Sequence, residues 1–399
     1  MTRVPIAALL TANGLSLAGN AMATVIVPLY VLGITGSPLL TGLAGAAATA
    51  PVILGGALGG VVVDRLGFRR AAIIADLASG VTVLAIPLLA ATVGLPLWAL
   101  FALVFLGGLF DTPGNTAKSA LVPDLVTAEG LPKAAAISSA VSRTAMMVGA
   151  SLAALFLLWI GPLAAFAVDA ATFGLSALLI ALFVHPRIEP SESSGYWGDL
   201  RAGLRFIARH PVIRNLLLLV VVTNLFDSAG LTVLKPVYAS GVSTDGSLFA
   251  LMVALFAAGA LVGAASFGWV GSRLPRRALF VTCFVLAGPS TYFAMAANLP
   301  VPWLIVVFLL AGLSAGSINP LISTIFYEQI PREMRARVLG ALTTGVTLGM
   351  PIGSLLAGLA VAQFGITAVL LATAIAYLLV TLTPLIGRSW EALSSSKAP

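Results

Sequence analysis

Three charged residues, Asp111, Arg143 and Asp227, stand deep within long apolar runs of the sequence. A charge at the centre of a bilayer costs about 2.5 to 3.5 kcal/mol on insertion scales, so each of them requires a reason. A carboxylate in that setting is suited to taking up and releasing a proton, and a guanidinium to neutralising it. Lys235, Asn20, Asn224 and Asn319 add polar groups to runs of the same kind. A second concentration of chemistry, Gly60-Val61-Val62-Val63-Asp64-Arg65-Leu66-Gly67-Phe68-Arg69-Arg70, is a charged knot between two apolar runs.

The elements that must position these groups are membrane helices. Hydrophobic residues make up 59% of the chain and charged residues 9%, against roughly one quarter charged in soluble domains. A span needs about twenty apolar residues, so 399 residues hold about twelve spans with short loops. The first run, 4–32, follows Arg3 as a signal peptide would, but it is too long for one and reads as an uncleaved span. Five more runs follow at 38–63, 71–91, 96–120, 134–159 and 163–184. After a break come six others at 213–239, 247–271, 278–297, 302–327, 339–364 and 367–386.

The expected fold is therefore an all-α integral membrane protein of twelve transmembrane helices in two six-helix bundles, 1–184 and 213–399. The segment between them, 185–212, is rich in Pro, Ser and charge, the composition of a linker. Within it Trp197, Leu200, Leu204 and Ile207 recur at helical spacing beside a basic stripe of Arg201, Arg205 and Arg209. That pattern fits an amphipathic helix on the membrane surface and equally a solvated linker helix.

A net charge of +7 would suggest nucleic acid in a soluble protein. Here nineteen of the 21 Lys and Arg fall at or beside one side of the membrane when alternate loops are assigned to opposite sides, and the two exceptions, Arg143 and Lys235, fall within spans. This bias places both termini and the central segment in the cytoplasm of a plasma-membrane protein, with no nucleic-acid partner. The single cysteine, Cys283, excludes intrachain disulfides, and His185 and His210 both flank the linker, so no metal site is expected. No Gly-x-x-x-x-Gly-Lys-Ser/Thr loop is present, so direct use of ATP is not expected, nor is any other cofactor. The partner that this composition implies is the lipid bilayer.

Gly60, Asp64, Arg65, Gly67, Arg69 and Arg70 fit the loop signature Gly-x-x-x-Asp-Arg-x-Gly, and the chain resembles the major facilitator superfamily of secondary transporters. Thr35-Gly36-Ser37, Leu121-Val122-Pro123-Asp124-Leu125-Val126, Gly161-Pro162-Leu163-Ala164-Ala165-Phe166-Ala167-Val168-Asp169 and Ile330-Pro331-Arg332-Glu333-Met334-Arg335 are similar to its macrolide and siderophore efflux branch. The resemblance implies export of amphipathic compounds by alternating access, commonly driven by protons, with import of a small metabolite as the alternative. It makes Asp64 a gating acid that braces the second span against the eleventh, although the knot is also explained as a topology signal. It places Asn20, Asp111, Asn224, Asp227, Lys235 and Asn319 on cavity-lining spans. Asn20 departs from the acid that many relatives carry there, and Met147-Val148-Gly149-Ala150-Ser151 lacks the Gly-Pro pair of the antiporter motif, to which Gly349-Met350-Pro351-Ile352-Gly353 is similar.

The halves read as repeats at a constant numbering offset, with Pro28 opposite Pro236, Arg65 opposite Arg273, Pro123 opposite Pro331 and Asp111 opposite Asn319. Asp111 and Arg143 reach similar depth and are expected to pair, either as static structure or as a pair that exchanges charge. Asp111 and Asp227 are the rival proton carriers. Asp76 is expected to face the basic loop, Asp169, near the outer end of its span, to cap or to hydrogen-bond between helices, and Lys235 to snorkel outward.

Overall fold

In hydrocarbon every backbone N–H and C=O must be satisfied within the chain, which leaves an apolar sequence of this kind the α-helix as its spanning structure. In the computed structural model, residues 4–55, 66–127, 129–185, 196–243, 246–270, 275–331, 334–386 and 390 are described. Twelve helices among them are long and apolar enough to cross a membrane. Contacts divide the chain into two compact units, Met1–Tyr196 and Trp197–Pro399.

The first unit holds α1 (Val4–Thr35), α2 (Pro38–Gly55), α3 (Phe68–Thr92), α4 (Leu97–Asp124), α5 (Leu131–Trp159) and α6 (Gly161–Phe183). The second opens with α7 (Tyr196–Arg209) and continues with α8 (Pro211–Val242), α9 (Ser247–Val270), α10 (Arg276–Ala296), α11 (Val301–Gln329), α12 (Val338–Phe364) and α13 (Ile366–Leu385). Gly67 before α3, at φ 74°, and Gly365 between α12 and α13, at φ 78°, adopt the left-handed backbone that glycine tolerates best.

The same pairs of helices pack in both units. In the first, α1 lies against α5 and α6, α3 against α4 and α6, and α2 against α4. In the second, α8 lies against α12 and α13, α10 against α11 and α13, and α9 against α11. Without a hydrophobic drive between helices in lipid, such contacts depend on small residues that let backbones approach. Gly259 and Gly263 of α9 face the main chain of α11 at Leu309 and Leu313, while Gly312 and Gly316 of α11 face the main chain of α9 at Phe256 and Ala260. A methyl at any of the four would strike backbone.

Three helices of the second unit are interrupted. In α8 a π-turn occupies Gly230–Leu234, just before Lys235 and Pro236. Helix α10 breaks at Gly288 ahead of Pro289, and α12 at Leu348 ahead of Gly349 and Pro351. Proline removes a backbone donor, and buried side chains or neighbouring helices must satisfy what it frees. At α7, Ile207 joins Ile213, Ile330, Val338, Ala341 and Leu342 in one buried cluster, whereas Leu204 is exposed beside Arg201 and Arg205. The expected single apolar stripe is thus divided: Ile207 belongs to the protein core and Leu204 does not.

Candidate functional site

Helix periodicity organises the interior of the first unit. Asp111, Asn115 and Lys118 follow one another at i, i+4 and i+7 on α4, so they share a face, and Asn13, Ser16 and Asn20 do the same on α1 at i, i+3 and i+7. The two polar faces meet. Asn20 Nδ2 donates to Asp111 Oδ2 at 2.7 Å and Asn115 Nδ2 donates to the same oxygen at 2.5 Å. Asp111 Oδ1 and Asn115 Oδ1 have no hydrogen-bond partner among the described residues.

Two turns further along α4 from Asp111, Lys118 Nζ donates to Ser16 Oγ at 2.6 Å and forms an ion pair with Asp76 Oδ1 of α3 at 2.7 Å. Asp76 Oδ2 accepts from Ser176 Oγ of α6 at 2.6 Å. Both charged side chains are 0% exposed, and the four residues tie α1, α3, α4 and α6 together. Two expectations are corrected. Asp76 does not face the basic loop, because Lys118 offers a buried ammonium directly opposite. Arg143 is exposed on α5 and does not meet Asp111, whose carboxylate is held by two amides instead.

Lys118 was absent from the sequence-based candidates, which counted it among the basic residues at a membrane end. Its signal was available: it lies seven residues after Asp111, on the same helical face, inside the fourth run. Asp169 of α6 is likewise fully buried, but neither of its oxygens finds a donor among the described residues, contrary to the expected interhelical hydrogen bond.

Of the loop knot, Gly60, Asp64 and Arg65 lie outside the described residues. Gly67 precedes α3, Arg70 is exposed, and Arg69 Nη2 donates to the Ala181 carbonyl in the last turns of α6 at 2.6 Å. A cation on the free carbonyl end of a helix is favourable on both hydrogen-bonding and dipole grounds. Its repeat counterpart Arg277 does the same, Nε donating to the Pro384 carbonyl at 2.7 Å.

In the second unit, Asp227 of α8 is exposed, and its Oδ1 accepts from Tyr377 Oη of α13 at 3.0 Å. Tyr377 stacks on Phe226 with ring centroids 5.2 Å apart, and Tyr292 Oη donates to the Phe226 carbonyl at 2.7 Å, beside the π-turn. Lys235 does not snorkel outward. Its Nζ lies 5.4 Å from the ring of Phe256 and 5.6 Å from that of Phe308, a cation–π arrangement that stabilises by about 2 kcal/mol when desolvated. Asn224 Nδ2 donates to the Val346 carbonyl of α12 at 3.2 Å, and Asn319 is exposed on α11. Gly349 and Gly353, the sequence similar to the antiporter motif, pack on the α8 main chain at Val221 and Leu225. No three His, Cys, Asp or Glu converge on a metal-sized site among the described residues.

The first unit thus holds buried, hydrogen-bonded carboxylates on helices long enough to cross a bilayer. Residues 3–396 match the family model described as transmembrane secretion effector, a division of the major facilitator superfamily. The chain belongs to this family. It is 29% identical over 375 residues to the multidrug efflux pump Tap of Mycolicibacterium fortuitum, covering 91% of this chain and 90% of that one. To macrolide efflux protein A of Streptococcus pyogenes it is 24% identical over 367 residues, covering 89% and 88%. The crystal structure of the nucleoside transporter NupG has the same fold, with a TM-score of 0.74 at 13% identity over 98% of this chain and 99% of that one. The protein is accordingly a multi-pass plasma-membrane transporter of small molecules and not an enzyme.

Proposed function

We propose that this transporter exports small amphipathic compounds in exchange for protons, with Asp111 as the first-choice proton carrier and Asp227 as its rival. The supporting observation is how the interior carboxylates are held. Asp76 is locked to Lys118, so protonating it strands a buried ammonium, which is costly. Asp111 has only amide donors, and Asp227 only a tyrosine hydroxyl. Neither forms an ion pair among the described residues, so neither is locked to a cation as Asp76 is.

Export is the reading supported by relatives named as multidrug and macrolide efflux proteins. In this reading the protein alternates access as a monomer of two bundles, 1–184 and 213–399, with segment 185–212 in the cytoplasm. Asn20, Asn224, Lys235 and Asn319 offer polar groups to the substrate, and Arg143, exposed and uncommitted to Asp111, contributes positive charge from α5. Asp64 gates, with Gly60, Arg65, Gly67, Arg69 and Arg70 shaping its loop.

Everted membrane vesicles with an acidified lumen test the reading. Added ethidium should release lumenal protons from vesicles holding the wild type, beyond vesicles lacking it, and Asp111→Asn should abolish the release. Release by Asp111→Asn equal to wild type moves the carrier to Asp227, and no release by wild type with ethidium or erythromycin refutes proton exchange.

A further inference from the structure

Asp169 is the interior carboxyl for which the cycle above has no use. It is 0% exposed on α6, and neither oxygen meets a donor among the described residues. Its neighbours in charge type are treated differently: Asp76 has an ammonium and a hydroxyl, and Asp111 has two amides. Thr172, one turn away, turns its hydroxyl back to the Asp169 main-chain oxygen at 2.7 Å instead of to the carboxyl.

What covers Asp169 is Gly19 of α1. A Cβ at that position would collide with Asp169 Oδ1 and with the Thr172 hydroxyl, so only glycine lets α1 close over the carboxyl. The helices packed on α6 supply no counter-charge. Helix α1 carries no Lys, Arg, Asp or Glu, and its Tyr30 meets Phe166 edge-on. From α3, Asp76 is directed to Ser176 and Arg69 to Ala181. On α5, Lys133 and Arg143 are exposed. An ionised Asp169 would thus be fully buried with no donor and no cation among the described residues, an arrangement proteins avoid.

The repeat supplies an independent observation. The numbering offset that aligns Arg69 with Arg277 also aligns Gly19 with Asp227 and Asp169 with Tyr377. In the second unit these two positions are joined by the hydrogen bond from Tyr377 to Asp227. Each unit therefore places one carboxyl at the same helix crossing, contributed by the first helix in one case and by the sixth in the other. The second-unit carboxyl has a donor, and the first-unit carboxyl has a glycine.

We propose that Asp169 is a proton-binding site, carrying its proton beneath Gly19 in the arrangement seen here and releasing it when α1 moves off α6. On release the carboxyl O–H bond breaks, the electron pair stays on Asp169, and water admitted by the movement takes the proton. The release step rests on the proton-exchange reading, whereas the bound proton does not.

Infrared spectroscopy of the purified full-length protein in lipid reads the site directly. Wild type should show a carbonyl band of a protonated carboxylic acid that is lost in Asp169→Asn and retained in Asp227→Asn, and ethidium should diminish it. Gly19→Ala, whose methyl enters the same space, should shift the band, and it serves if Asp169→Asn does not fold. A wild-type set of acid bands unchanged in Asp169→Asn, or an unshifted band in Gly19→Ala, would overturn the site. A band that depends on Asp169 but ignores ethidium, in protein that exchanges ethidium for protons, would overturn the release step. The band with no such exchange in wild type refutes the proposed function and leaves the site standing.

Discussion

Replacing Lys118 by methionine removes the ammonium that neutralises Asp76 and leaves the carboxylate buried among α1, α3, α4 and α6. Both side chains are 0% exposed, so neither water nor lipid headgroups can screen the stranded charge. Breaking a buried pair from one side costs about 3 to 5 kcal/mol, whereas exchanging both partners for apolar residues of similar volume is often neutral or stabilising. For a unit of this size each kcal/mol moves the unfolding temperature by roughly 2 to 4 °C, so Lys118→Met should lower it by roughly 6 to 20 °C. The double variant Asp76→Leu with Lys118→Met should recover most of that loss. Ser16 already donates to the Asn13 carbonyl at 3.3 Å, so its hydroxyl keeps a partner when Lys118 is gone. Thermal unfolding in detergent, followed by tryptophan fluorescence for wild type, both singles and the double, is the assay. A Lys118→Met protein as stable as wild type, or a double no more stable than the worse single, would refute the assignment of this pair as static structure.

Three further outcomes are expected. Gly312→Ala, whose methyl meets the Phe256 carbonyl, should destabilise by about 1 to 3 kcal/mol, while Gly340→Ala, where a Cβ meets nothing within 4 Å, should be neutral or stabilising in the same unfolding assay. Asp64→Asn should impair ethidium efflux far more than Asp124→Asn at matched expression, and equal efflux would reduce the loop knot to a topology signal. In a Cys283→Ala background, an impermeant thiol reagent on intact cells should label Ser37→Cys and spare Ser194→Cys; the reverse pattern would invert the membrane orientation.

The spans were legible because hydrocarbon permits so few structures: a run of about twenty apolar residues has no alternative to a helix. The polar face of α4 was half legible, since Asp111 was singled out while Lys118, two turns on, was assigned to a membrane end. What sequence periodicity does not contain is which helix stands opposite. The partner of Lys118 is on α3 and the donors to Asp111 are on α1 and α4, and those pairings follow from how the helices cross. The expected union of Asp111 with Arg143 failed for the same reason, because equal depth does not put two side chains on facing surfaces. Lys235 was read as a charge seeking water, and its rings, Phe256 and Phe308, come from two other helices. The repeat, found first as coincidences of proline and arginine, carries real correspondence in Arg69 and Arg277, each of which binds a carbonyl at the end of its unit's last helix.

Proteoliposomes containing the purified transporter, with the membrane potential clamped and only a proton gradient imposed, test exchange of drug for protons most directly. Ethidium carries a permanent charge, so a pH difference does not trap it passively. The account predicts that ethidium accumulates in acid-interior vesicles and that Asp111→Asn does not concentrate it. Accumulation in alkaline-interior vesicles would identify an importer, and accumulation in neither would show that protons do not drive the cycle.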